Sequence, residues 1–530
     1  MKKKLSSLIA IVVAISVYMT CGVWAVTWTG ATTYTSATTV SDVTYSSTTA
    51  NENSVLINTS SAVNITNPTV TKTGDSDGGD NCNFYGINSA VMAKGGGTTT
   101  ITGGTVNATA KGANGVFSYG GNGGNNDTAG DGTTVNISGT TIKTTGSNAG
   151  GIMTTGGGVT VAKNLNITTT GGSSAPIRTD RGGGTVTVTG GTYTSSGVGS
   201  PAIYSTAAIT ANSATLTSNK SEGVCIEGKN SIVLNNCTLT ASNSSLNGNA
   251  RFYDSVMIYQ SMSGDASSGS SKFTMTGGTL NSKKGDVFHV TNTTGIINLN
   301  GVTINNTDSS NTLLSVCDDG WSGGSNIATL NAANQTMSGA LLVGSDSTLN
   351  LNLSGSTVFT GKTSGSITND KNSTVSSSLG TVKVTMSGGS AKWVLSGNCK
   401  VSSISGSGKI DYNGYTLTVG SKKYTSGSPG GNIKDATTTN KAVTFKNVKK
   451  TIKYKTIKKK KVSYSIIKKS GGGKVTYKVT KGKKKYIKVS KKGKVTVKKK
   501  AKKGTYKVKI TVAKKGKYRK TTKTIKVKIK

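Results

Sequence analysis

Histidine is almost missing from this chain. His289 is the only one in 530 residues, so a zinc site of the His/Cys type has almost no material. Cysteine is scarce as well: apart from Cys21 there are Cys82, Cys225, Cys237, Cys317 and Cys399, an odd number with no CxxC pair. That gives no support to a disulfide framework and favours free buried thiols, which pack as small apolar groups. After residue 30 apolar side chains at i, i+3, i+4 and i+7 never recur as a pattern among so much Gly, Thr, Ser and Asn, which excludes a helical repeat. The many glycines never form the pattern Gly, four residues, Gly-Lys-Ser/Thr, which excludes a phosphate loop. Acids run out toward the end: residues 431–530 hold 39 Lys and Arg against the single acid Asp435.

What is present is a repeat. Val106, Ile142, Ile167, Tyr193, Leu216, Leu239, Leu280 and Ile304 each close a short alternating run, as in GTVTVTGGTY and SKFTMTGGTL, at intervals of 36, 25, 26, 23, 23, 41 and 24 residues. Units of this length that alternate apolar and polar residues, with Gly or Asn at a corner, cannot bury an inner face alone, but stacked coils can. The spacing therefore predicts a β-solenoid, a right-handed parallel β-helix. The two long intervals contain the Gly/Asn stretch 118–132 and the Ser/Gly stretch 260–271, which read as insertions on the flank.

The first 25 residues read as a secretory signal, with Lys2 to Lys4, an apolar run from Leu8 to Val17, and Val23-Trp24-Ala25 as the cleavage site. Ser6, Ser7, Ser16, Thr20 and Cys21 interrupt a run already short for a membrane span, and Thr20 is not the small residue expected before a lipidated cysteine. The expectation is an exported protein with no membrane span after signal removal. Its parts are 1–25 signal, 26–94 N-terminal cap and first coils, 95–425 parallel β-helix, 426–440 linker and 441–530 a basic domain, with 411–424 read as a closing hairpin.

Residues 431–530 carry +38 of the total +43. Lysine alternates there with β-formers in KVTYKVT (474–480), KYIKVS (485–490), GKVTVKKK (493–500), GTYKVKITV (504–512) and TIKVKIK (524–530). Period two puts lysine on one face and Val, Ile or Tyr on the other. About seven strands in about 90 residues suits a β-sandwich better than a disordered polybasic tail.

The segment YIKVSKKGKVTVKKKAKKGTYKVKITV (486–512) resembles the second half of bacterial immunoglobulin-like domains, in lysine-rich versions at the ends of exported proteins of gut Gram-positive bacteria. The solenoid resembles the β-helical, adhesin-like surface proteins of the same organisms, through 175–210 (APIRTDRGGGTVTVTGGTYTSSGVGSPAIYSTAAIT) and 221–239 (SEGVCIEGKNSIVLNNCTL). The resemblance implies a surface or secreted architecture, a β-helix followed by a small Ig-like β-sandwich. It implies no reaction.

Right-handed β-helices also host polysaccharide lyases and glycoside hydrolases. Aligning GGIMTT, APIRTD, PAIYST, GVCIEG and SVMIYQ with Ile152, Ile177, Ile203, Val224 and Val256 inward makes Met153, Arg178, Tyr204, Cys225 and Met257 outward, followed by Thr155, Asp180, Thr206, Glu227 and Tyr259. Asp180 and Glu227 then stand two coils apart, roughly 10 Å at about 4.8 Å per coil, near the upper end for an inverting glycosidase pair. In that reading Glu227 is the acid and Asp180 the base, with Arg178, Arg181, Tyr204, Lys229 and Tyr259 as ligand-binding neighbours. The plainer alternative is a solvated solenoid face with local salt bridges.

No metal site and no cofactor is expected. Asp75, Asp77 and Asp80 with two glycines offer oxygen ligands for calcium, but the loop lacks the later bidentate Glu and the length of a calcium loop. Trp321 in an exposed turn is a candidate sugar platform. The expected partners are an extracellular glycan or host surface for the solenoid and, for the basic domain, anionic cell-wall polymers rather than nucleic acid. The chain ends in IKVKIK without a sortase signal, so charge is the expected anchor.

Overall fold

The structure is a computed structural model and describes residues 26–321, 324–437, 443–468, 473–482, 485–513 and 521–530. The segment read as a signal, 1–25, and the end of the expected linker, 438–440, lie outside the described residues.

Three long parallel sheets of 16, 14 and 10 strands build the solenoid, the first two running through nearly all of it. Each complete coil adds one strand to each sheet, for example Ile177–Thr179, Gly184–Thr189 and Thr192–Ser195. The first coils are already in place at Gly30–Tyr34, which pairs in parallel with Asn53–Asn58. Val106, Ile142, Ile167, Tyr193, Leu216, Leu239, Leu280 and Ile304 form one unbroken register column of the third sheet. Period two explains why: in Thr192–Ser195, Tyr193 and Ser195 are buried while Thr192 is exposed.

The corner between the second and third sheets needs one left-handed residue per coil. Asn164, Gly190, Ser213, Asn236, Gly277 and Gly301 supply it, with φ between 51 and 66 degrees. Asn and Gly tolerate that region. Their amides remain useful: Gly190 N donates to Asn212 O at 2.8 Å, and Gly277 N to Asn300 O at 2.9 Å, so the ladder continues around the bend. On the outer face of the second sheet, asparagines stack from coil to coil, with Asn331 donating to Asn298 and Asn352 to Asn331, both at 2.8 Å.

The third sheet stops at Thr303–Asn306. Beyond it, the next coils use two sheets, with eight-residue strands such as Asn326–Ala333 and Ser347–Ser354, and a short third parallel pair returns at Cys399–Val401 and Leu417–Val419. Large side chains fill this part of the core, including Phe359 and Trp393, whose rings stack 5.9 Å apart. Leu417–Val419 then turns back antiparallel onto Lys422–Tyr424, the hairpin expected from the sequence, and covers the edge of the short ladder begun by Cys399–Val401. The first sheet continues past it: Lys434–Asp435, within the segment read as a linker, pairs in parallel with Lys409–Asp411, and Ile433 is buried in the solenoid core.

The basic domain has its own core of Ile452, Ile457, Ile487, Val495, Val508, Ile510, Ile525, Val527 and their neighbours. Around it lie a four-stranded sheet in the order Lys449–Ile452, Thr521–Ile529, Gly504–Val512, Val475–Lys481, and a three-stranded sheet of Val462–Ser465, Lys494–Val497 and Ile487–Val489. In the last strand Ile525, Val527 and Ile529 are buried and Lys526 and Lys528 exposed. Each buried Ile or Val contributes about 1.5–3 kcal/mol, which offsets the repulsion of so many like charges. Among the described residues, no sheet joins this domain to the solenoid.

Candidate functional site: a roofed ladder on the first sheet

The outward residues of the first sheet stand in the register expected from the alignment. Met153, Arg178, Tyr204, Cys225, Met257 and His289 are successive partners, as are Glu227 and Tyr259. The inward column Ile152, Ile177, Ile203, Val224, Val256 is equally continuous.

The face is not open to solvent in the way an unadorned solenoid face would be. Asp180 is 3% exposed, Glu227 1% and Tyr259 7%, because the two insertions meet above the ladder. Asn126 Nδ2 donates to Gly264 O at 3.0 Å, Ser267 Oγ donates to Asp127 Oδ2 at 2.7 Å, and Asn126 Oδ1 accepts Gly182 N at 2.9 Å. Contacts between residues about 140 apart in sequence thus make a roof.

Beneath it the charges are paired. Arg178 Nη2 meets Asp180 Oδ2 at 2.7 Å, and Asp180 Oδ1 accepts Arg181 N at 3.0 Å. Burial pushes the Asp180 carboxyl up to about 6 despite the pull of Arg178, with Asp265 adding to the rise. Glu227 Oε2 accepts from Tyr204 Oη at 2.5 Å and Tyr259 Oη at 3.0 Å, and Oε1 accepts from Ser261. Burial first, then Tyr259 and Glu227 for Tyr204, and Glu227 and Cys225 for Tyr259, holds both phenols well above their ordinary range, so they donate rather than ionise. Arg181 pairs with Asp265 at 2.8 Å and lies over the Phe84 ring. Lys229 is directed elsewhere, to Asp127 at 3.2 Å.

Of the seven expected site residues, then, Arg178 and Asp180 form one cluster, Tyr204, Tyr259 and Glu227 a second, Arg181 joins the roof, and Lys229 borders a separate cavity of about 290 Å³ with Asn126, Asp127 and Ser267. A pocket of about 200 Å³ opens beside Arg178, Tyr204, Tyr259, Asn247 and Pro201. Trp321 stands 5.0 Å from Tyr259, ring to ring, at one side of this aromatic group.

A group absent from the expected site adjoins it. Glu222 and Asp254 each stand two residues before the aligned Val224 and Val256, and Asp254 is paired in register with Asp286. All three are buried, and neither oxygen of Asp254 has a hydrogen-bond partner. Asp319 lies 3.6 Å from His289 Nε2, both fully buried, while His289 Nδ1 meets Ser315 Oγ at 2.6 Å and its ring stacks on Phe252. Burial pushes Asp286 up to about 7, Asp319 up to about 8 and Asp254 well above the carboxylate range, and lowers His289 to about 3. Near neutral pH Asp254 and Asp319 therefore keep their protons and His289 is uncharged. Extending the aligned motifs by one residue toward the N-terminus, and by one further coil to DVFHVT (286–291), would have found the column.

The five cysteines outside 1–25 are all free and buried. In the acidic turn, Asp75 accepts Lys111 N at 2.7 Å, Asp77 faces Lys111 Nζ at 3.7 Å and Asp80 begins the short helix Asp80–Tyr85. Among the described residues no three His, Cys, Asp or Glu side chains are gathered as a metal ion requires, and no helix is long and apolar enough to cross a membrane.

The basic domain presents a different surface. Lys481, Lys507, Lys526 and Lys449 are direct partners across its four-stranded sheet, a row of four cations with no acid between them. Compared with protein-family models, with curated proteins and with solved structures, the chain matches none.

Proposed function

We propose that this is an exported, cell-surface adhesin-like protein whose β-helix binds an extracellular glycan without turnover, and whose C-terminal domain, read as Ig-like, retains it on anionic wall polymers. The observation that carries the first half is the state of Glu227. Its carboxylate is held by three hydroxyl donors under a roof, where it positions donors and aromatic edges but has no freedom to pass a proton to a glycosidic oxygen. The pocket beside it combines Arg178, Asn247 and two tyrosines, the mix of flat apolar edges and polar groups that sugars require. The Lys481–Lys507–Lys526–Lys449 row supports the second half, because like charges directly opposed across a sheet are destabilising until an outside anion neutralises them.

A second reading, a polysaccharide lyase or glycoside hydrolase, is favoured by one observation: the Asp180 carboxyl is pushed up to about 6, as an acid or base near neutral pH would be. One experiment separates the two. Residues 26–530 are incubated with pectic, algal and mucin glycans, and retention is recorded together with new reducing or unsaturated ends. Retention without product is the expected result. Product that disappears in Glu227→Gln or Asp180→Asn would establish the enzyme instead.

A further inference from the structure

The segment between Tyr259 and Ser270 places three polar side chains on the charged groups below it. The Ser261 hydroxyl donates to Glu227 Oε1, and the Ser263 hydroxyl lies 2.8 Å from Ser261 Oγ and 3.4 Å from Glu227 Oε1. Asp265 Oδ1 takes the Arg181 guanidinium at 2.8 Å, while its Oδ2 lies 2.9 Å from Ser263 Oγ. Neighbouring hydroxyls and one carboxylate, laid on a carboxylate and a guanidinium, are the groups a uronic acid residue presents.

The fit of this segment is incomplete. Arg181 Nε is buried and makes no hydrogen bond, so Asp265 meets only one corner of the guanidinium. A free carboxylate meeting Nε and Nη2 together would use both. The segment also holds a strained pose: Met262 sits at φ 65 degrees with its side chain exposed, a conformation costing about 1 kcal/mol or more for a residue other than glycine. Solvent already reaches the ion pair, with 34% of the Arg181 side chain and 23% of Asp265 exposed.

We propose that the glycan bound on this face is acidic, a polymer of uronic acid residues, and that Ser261, Ser263 and Asp265 are an internal surrogate which a uronate displaces from Glu227 and Arg181. This rests on the glycan-binding reading and adds to it the ligand class and the gate. No covalent bond changes.

The test uses the full mature chain with oligogalacturonate and the same oligosaccharide methyl-esterified, so that only the charge differs. Esterification is expected to weaken binding about tenfold or more, the effect of losing hydrogen bonds to a charged group. Amide exchange within 260–269 should speed up when oligogalacturonate binds. Arg181→Gln should weaken binding by a similar factor, whereas Asp265→Asn should tighten it about two- to fivefold, since it removes a partly exposed competing ion pair. The opposite sign of the last variant separates displacement from misfolding. Equal binding of acid and ester, or a 260–269 exchange pattern indifferent to ligand, overturns the proposal while leaving the glycan-binding reading in place. Absence of binding to any glycan of the wider panel removes both.

Discussion

The solenoid and the basic domain handle charge in opposite ways. At the roofed ladder the three cations each have an acid beside them: Arg178 has Asp180, Arg181 has Asp265, and Lys229 has Asp127. In the basic domain, cations stand next to cations, as in the row Lys481, Lys507, Lys526, Lys449. Both regions keep an alternating β-ladder with an apolar inner face, so the ladder does not dictate the outer chemistry. What differs is where neutralisation comes from. A surface that pairs its own charges selects ligands by shape and by exchange of partners, whereas an unpaired surface attracts any polyanion and depends on salt.

The largest expected effect follows from that difference. If four lysines each contact one anionic group, binding of a flexible polyphosphate by the whole protein should fall several-hundredfold from about 0.1 to 1 M salt, given a slope of about 0.7 per contact for single-stranded polyanions. Retention of oligogalacturonate on the solenoid should change far less over the same range, about fivefold, because one partly covered guanidinium meets one carboxylate. A pull-down on both ligands across a salt series checks this, and equal salt dependence would erase the contrast.

Next in size is the pH dependence of the solenoid. Asp286 and Asp319 have folded pKa values raised to about 7 and about 8 by burial, and Asp254 is raised too. Groups raised in this way contribute stability that is complete below about pH 4, their unfolded value, and is lost as pH climbs through the folded value. The charged groups coupled to them are Glu222, Asp370 and Asp308, which deepen the rise, and Arg251 and Lys371, which oppose it at Asp319. The solenoid transition should therefore move to lower temperature between pH 5 and about pH 9, with a loss of at most about 1.4 kcal/mol per carboxyl for each pH step between its unfolded and folded values. Asp319→Asn retains an oxygen for the Arg251 amide and should flatten the upper part of that curve; calorimetry across pH checks it.

Much of this was legible in the residues. The anchors from Val106 to Ile304 announce themselves because a core column must be apolar in every coil, and the ladder Ile152, Ile177, Ile203, Val224, Val256 follows by the same rule. The closing hairpin and the lysine alternation carry local signals of the same kind. The roof was not legible. Asn126 and Gly264 are 138 residues apart, and nothing in a Gly/Asn or Ser/Gly stretch says where it folds back. That contact closes over coils already packed around Asp180 and Glu227, so their environment was invisible although their positions were not. The acidic column was missed because the aligned motifs began one residue too late for Glu222 and Asp254 and stopped one coil short of Asp286.

A smaller effect tests whether the pairing on the first sheet is internal. Tyr204→Phe removes the 2.5 Å donor to Glu227 while keeping the ring. A buried carboxylate deprived of one donor should cost about 1–3 kcal/mol of solenoid stability, read from chemical denaturation. The basic domain's own transition should not move, because no sheet joins the two parts.

The smallest effect has the most informative sign. Lys449 is exposed at the edge of the four-stranded sheet and stands directly opposite Lys526. An ordinary surface substitution changes stability by less than about 0.5 kcal/mol in either direction. Here Lys449→Gln removes one of two opposed like charges, so it should stabilise the basic domain by about 0.2–0.5 kcal/mol at low salt, with the gain vanishing near 1 M. The same change should weaken polyphosphate retention and reduce its salt slope by about 0.7. Stability and binding moving in opposite directions is what a surface built to be neutralised from outside must show. If Lys449→Gln instead lowers both, the lysine row is part of what holds the domain together, and its charge has no outside partner to explain.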